Sequence, residues 1–169
     1  MGIANIRKEL KKHDKDGLID LIEYLYKNDK YAKEYLNFYI NPNEAELFSR
    51  YKTKVYEAFF PKKGHKIRLA QGKKAIAAFK KFDTAKDLLA DLMLCYAETG
   101  VVCVNHFGHV SEAFNNSIIG VYRQALTLMQ EEHILDNFAE RAEKTLKDSK
   151  DVGWGLYDDL LLIYTEFYA

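Results

Sequence analysis

A chain of 169 residues, 48% hydrophobic and 30% charged, suits one domain with a buried core and excludes both wholesale disorder and a membrane bundle. Lys+Arg and Asp+Glu balance at 25 each, so the formal net charge is zero. Only 2 prolines and 9 glycines punctuate it, which favours long helices, and the 2 cysteines are too few for a disulfide scaffold.

The opening "MGIANIRKELKKHDKD" lacks the apolar core of a secretory signal, and no run of about 18 apolar residues follows. The expectation is a soluble cytoplasmic protein with no membrane partner and with Cys95 and Cys103 as reduced thiols. Leu18, Leu21, Ile22 and Leu25 then recur at helical spacing, with Asp20, Glu23 and Lys27 opposite. Asn28 or Asp29 can cap a second helix, "KYAKEYLNFYI", which the Asn41-Pro42 pair stops because a residue before proline avoids helical angles. Tyr24, Tyr26, Tyr31, Tyr35 and Tyr39 crowd this hairpin, and tyrosine suits interfaces that are part buried and part wet.

A long helix is expected over residues 44–60, then the loop "PKKGHKIRLAQGKK", then a helix over 72–82. Residues 84–98 should form the next, with Asp83 as N-cap and Gly100 as its stop, leaving "VVCV" at 101–104 as a short strand-like run. Ser111 can cap a helix to about residue 132 with Phe114, Ile118, Val121, Tyr122, Ala125 and Met129 inward. Ile134, Phe138, Ala142 and Leu146 mark another, and Leu156, Leu160, Ile163 and Phe167 the last. The expected fold is all-α, about eight helices in one domain over 1–169, as an irregular bundle or a short stack of helical hairpins.

The zero net charge hides an asymmetry. Residues 1–49 hold 8 basic and 9 acidic side chains, residues 50–81 hold 11 and 1, and residues 82–169 hold 6 and 15. On a helical projection Lys73, Lys74, Lys80 and Lys81 share one face, opposite Ala75, Ile76, Ala78, Phe79 and Phe82. With Lys62, Lys63, Lys66 and Arg68 they make a candidate polyanion site, or a surface that meets the acidic part of this chain or of a second copy. Nine of the eleven cations in residues 50–81 are lysines, hydrated point charges without the planar fork that reads base edges, so nucleic-acid binding would be non-specific.

A second candidate is "CVNHFGH", where Cys103, His106 and His109 step by three and Glu112 follows, a ligand set competent for zinc or iron if the segment is helical. Gly100 and Gly108 interrupt that spacing, and no dinucleotide, P-loop or hydrolase motif accompanies it. No cofactor is implied, and catalysis has no candidate residues. Trp154, between Gly153 and Gly155, reads as an anchor for a tight turn. The leading expectation is therefore a non-enzymatic protein-interaction or scaffold module, with self-association as one route.

The blocks "LIDLIEYLYKNDKYAKEYLNFYINPNE", "LLADLMLCYAETGVVCVNHFG", "AFNNSI" and "VGWGLYDDL" together resemble a bacterial family of small proteins known as a domain of unknown function. The resemblance runs from the first hairpin to the last helix. It implies a self-contained helical cytoplasmic protein and brings no activity or catalytic residues. Members of that family often carry an acidic residue where this chain has His109, which weakens the metal reading.

Overall fold

A computed structural model describes residues 2–64, 66–108, 111–153 and 155–168. The chain divides into two compact units, Met1–Asn43 and Glu44–Ala169. Both are helical, and no strand occurs among the described residues.

The first unit holds α1 (Ile3–Leu10), α2 (Lys15–Asn28) and α3 (Lys30–Ile40). Two aspartates delimit its hairpin. The Asp14 carboxylate accepts from the Gly17 N–H at 2.8 Å to start α2, and Asp29 accepts from the Ala32 N–H at 2.7 Å to start α3. Asp29 is also the residue that ends α2, so one extended residue turns the chain. As the Asn41-Pro42 pair predicts, α3 ends at Ile40. Across the hairpin the Tyr26 hydroxyl donates to Asn37 Oδ1 at 3.1 Å. None of the described residues in these three helices is buried.

The second unit contains α4 (Glu44–Phe59), α5 (Leu69–Phe79), α6 (Lys86–Phe107), α7 (Glu112–Glu131), a 3-10 turn (Leu135–Phe138), α8 (Ala139–Asp148) and α9 (Leu156–Tyr168). It is a multi-helix bundle built round α6, against which α4, α5, α7 and α8 pack. Thirteen of the 22 residues of α6 are buried, so it is apolar nearly all round, as a central helix must be. The inner face predicted for α7 is confirmed, with Phe114, Ile118, Val121, Tyr122, Ala125 and Met129 all buried. Its cap is the Ser111 hydroxyl, which accepts from the Phe114 N–H at 3.2 Å. Phe59 of α4 joins the layers, its ring 4.8 Å from Tyr96 and 5.8 Å from Phe114, both edge-on.

Several boundaries differ from the sequence expectation, each for a tertiary reason. Gly100 does not stop a helix. It lies inside α6 where α7 approaches so closely that a Cβ would sit 2.6 Å from Ile118 Cγ1 and 3.3 Å from Phe59 Cε1. The "VVCV" run is likewise helical, because burial of Val101, Cys103 and Val104 in the core outweighs a weak strand preference. Gly72 is interior to α5, which starts three residues earlier at Leu69, and the Tyr96 ring lies 2.6 Å from where its Cβ would be. Asp83 does not cap α6, which begins at Lys86 behind Ala85. The helix expected around Ile134 and Phe138 is a 3-10 turn leading into α8, and α1 has no counterpart in the expectation. No described helix is long and apolar enough to cross a membrane.

Candidate functional site

Among the described residues of the second unit a broad groove lies along the basic helix. The Lys73, Ile76, Ala77 and Lys80 side of α5 forms one wall, and Gly120, Val121, Gln124, Thr127 and Leu128 of α7 form the other. Between them Leu89 and Met93 of α6 make an apolar floor. Lys86, Arg123 and Glu131 stand on the rim. Two adjoining hollows of about 560 Å³ and 240 Å³ share Lys80, Met93 and Gln124, so they form one continuous trough.

The local sequence explains each part. Lys73 and Lys80 are seven residues apart, two helical turns, and therefore lie on one side of α5 with Ala77 between them. Gly120, Gln124, Thr127 and Glu131 step along α7 in the same way, giving a small and polar wall next to its buried face. Gly120 is the odd member. A glycine in a helix interior costs about 1 kcal/mol relative to alanine, yet no atom lies within 4 Å of where a Cβ would point. Packing inside this chain does not require a glycine there. The space it leaves opens into the trough.

The electrostatics lean positive, with Lys73, Lys80, Lys86 and Arg123 against Glu131. Lys73, Lys80 and Lys86 are exposed and make no ion pair among the described residues, while Arg123 reaches Glu166 of α9 at 2.6 Å. Of the eight cations expected to form a positive surface, all are exposed, but only Lys73 and Lys80 line the trough. Lys62 is paired with Glu57 at 2.6 Å. Lys63, Lys66 and Arg68 belong to the α4–α5 connection, whose base is pinned by the Arg68 N–H donating to the Ala58 carbonyl at 2.7 Å. Lys74 and Lys81 sit outside the trough. Lys86, Arg123, Met93 and Gly120 escaped the sequence reading. The one available signal was Gly120, a mid-helix glycine with no turn to make.

Beside that loop is a cluster of rings. Tyr56 stacks on Phe60 at 5.0 Å, and Phe107 lies 5.9 Å from Phe60 and 4.6 Å from His106. Tyr56 and Phe107 are more than half exposed.

Two of the three expected metal ligands, Cys103 and His106, lie among the described residues. Cys103 is fully buried in α6, and burial pushes its thiol up to about 11, away from the thiolate a metal needs. His106, three residues on, is exposed against the Phe60 and Phe107 rings, and His109 lies outside the described residues, as does Trp154. Among the described residues no group of three or more His, Cys, Asp or Glu is arranged to hold a metal. Cys95 is also buried, its thiol raised chiefly by desolvation and 3.9 Å from Thr99 Oγ1.

A charge cluster ties α8 to α6. Arg141 donates Nε and Nη2 to the two oxygens of Glu98, each at 2.9 Å, and this fork holds its pKa above the usual value. Its Nη1 lies 2.8 Å from Asp91 Oδ1, but out of line for a hydrogen bond, and that buried oxygen has no other partner among the described residues. With every group satisfied or neutralised by Arg141, the cluster acts as a brace between helices.

No curated protein and no solved structure matches the chain. Over residues 1–168 it matches the model of DUF6155, and the chain therefore belongs to that family, a family of unknown function.

Proposed function

We propose that the protein is a non-catalytic interaction module whose second unit binds an acidic amphipathic helix in the trough between α5 and α7. The observation that carries this reading is the combination of an apolar floor at Leu89 and Met93 with unpaired cations at Lys73, Lys80 and Lys86. A helix with leucines on one stripe and carboxylates beside it satisfies both, burying its stripe on the floor and pairing its flanks with the lysines. Met93 suits such a floor because its unbranched thioether adapts to the incoming side chain. The test is fluorescence anisotropy with a labelled synthetic helix of leucines at i, i+3, i+4 and i+7 and glutamates elsewhere. Binding is expected at low salt, with loss in K73E/K80E and none to the lysine counterpart of the peptide. Equal binding of both peptides, or of neither to protein that is monomeric, overturns the reading.

A second reading is supported by the ring cluster beside the basic loop. Exposed Tyr56 and Phe107 flank Phe60, which leads into the connection that carries Lys63 and Lys66, and rings with lysines close in sequence have the composition of a platform for single-stranded nucleic acid, on which bases stack while lysines track the backbone. An oligo-dT titration tests it. Salt-sensitive binding that falls in Y56A/F107A supports this site, and binding unaffected by those changes or absent at low ionic strength removes it.

A further inference from the structure

Resting on the trough reading, we infer that the acidic helix the trough accepts is α9 of a second copy of this chain, so that two copies pair through reciprocal contacts of trough and α9.

The outward side of α9 has the required chemistry. Asp158, Asp159, Leu162 and Glu166 fall within about 100° of one another on the helix, where residues advance 100° each. Asp158 and Asp159 are exposed and make no ion pair among the described residues. Leu162 is 68% exposed, an apolar knob in an acidic setting. The trough offers the converse: cations at Lys73, Lys80 and Lys86, and an unfilled hollow over Gly120 of a size that suits one aliphatic side chain.

The placement of the two surfaces argues for a second copy over an unrelated acidic helix. Both flank α7, which supplies one wall of the trough and packs against α9 through the Arg123–Glu166 pair. A patch that holds complementary halves side by side is self-complementary under a two-fold axis. The trough of each copy then receives α9 of the other, which is the isologous arrangement of most homodimers. It also gives the charge asymmetry a use, because the basic excess of residues 50–81 and the acidic excess of residues 82–169 meet between copies while the chain stays neutral.

The test is a charge swap read by sedimentation velocity. Wild-type protein should dimerise at low ionic strength and dissociate progressively with salt. K73E/K80E and D158K/D159K, all at exposed positions, should each be monomeric under the same conditions, because each places like charges across both contacts. Mixed in equal amounts they should form a heterodimer, since the negative trough of the first then faces the positive α9 of the second while the positive trough of the second faces the acidic α9 of the first. A monomeric wild type at every concentration and salt, dimers that persist in either variant, or a mixture that stays monomeric overturns the inference. If wild type is monomeric but binds the leucine-glutamate peptide in a Lys73- and Lys80-dependent way, only the identity of the occupant fails. If neither the peptide nor a second copy binds, the trough reading fails with it.

Discussion

Gly100 and Gly120 lie inside helices, and the same substitution at the two should move stability in opposite directions. Alanine at Gly120 meets no atom within 4 Å and replaces the poorest ordinary helix former with the best, so G120A should stabilise by about 1 kcal/mol. Alanine at Gly100 makes the same propensity gain, but its Cβ must displace Ile118, whose Cγ1 and Cδ1 would lie at 2.6 and 2.7 Å. Ile118 is fully buried and β-branched, so its rotamer cannot swing aside, and overpacking of this kind costs roughly 1–3 kcal/mol. Because the propensity gain is common to both, the difference between the variants isolates the packing cost. For an unfolding slope of about 2 kcal/mol per molar urea, that difference separates their midpoints by roughly 0.5–1.5 M. Urea titration followed by circular dichroism at constant pH measures it. In an I118A background the separation should shrink, as coupling between touching residues requires. G100A shifting the midpoint upward as far as G120A does would refute the close approach of α6 and α7 at this point.

Two further outcomes follow from the buried groups. The raised Cys103 thiol favours the neutral form in the folded state, so its contribution to stability is full below its ordinary value of 9.0 and is lost as pH rises through about 11. Tyr96 and Tyr122 are raised by burial in the same sense, so thermal melts should fall as pH rises through the alkaline range, and both cysteines should resist a thiol reagent at neutral pH until urea is added. A native protein labelled at Cys103 as fast as in urea would contradict this. R141A removes the cation facing Asp91 and Glu98 and leaves two partly buried carboxylates side by side, which should cost about 1.5–3 kcal/mol in urea unfolding. R141K should recover only part of that loss, because lysine lacks the fork that grips both oxygens of Glu98. Full recovery by lysine would show the brace to be charge alone.

The trough illustrates why a site built from several helices is hard to read along a chain. Lys73 and Lys80 were visible because two positions on one helix are related by its own geometry. Their partners Met93, Gly120 and Arg123 come from α6 and α7, and which side of α7 faces α5 across α6 depends on how three helices stack. A positive stripe was therefore legible, while the apolar floor that turns a stripe into a trough was not. The same limit hid the pairing of Lys62 with Glu57, which depends on how the chain turns after α4.

Periodicity and capping chemistry, both local, determined the all-α class, the hairpin about Asp29, the start of α7 at Ser111 and its inner face from Phe114 to Met129. Each depends only on neighbouring residues along one helix or turn, which is why the amino-acid order sufficed. Tertiary packing alone decided that α6 runs through Gly100 and "VVCV" to Phe107 and that Gly72 lies within α5. A glycine reads as a stop when only its backbone freedom is considered, whereas against Ile118 or Tyr96 its missing side chain is what lets two helices meet.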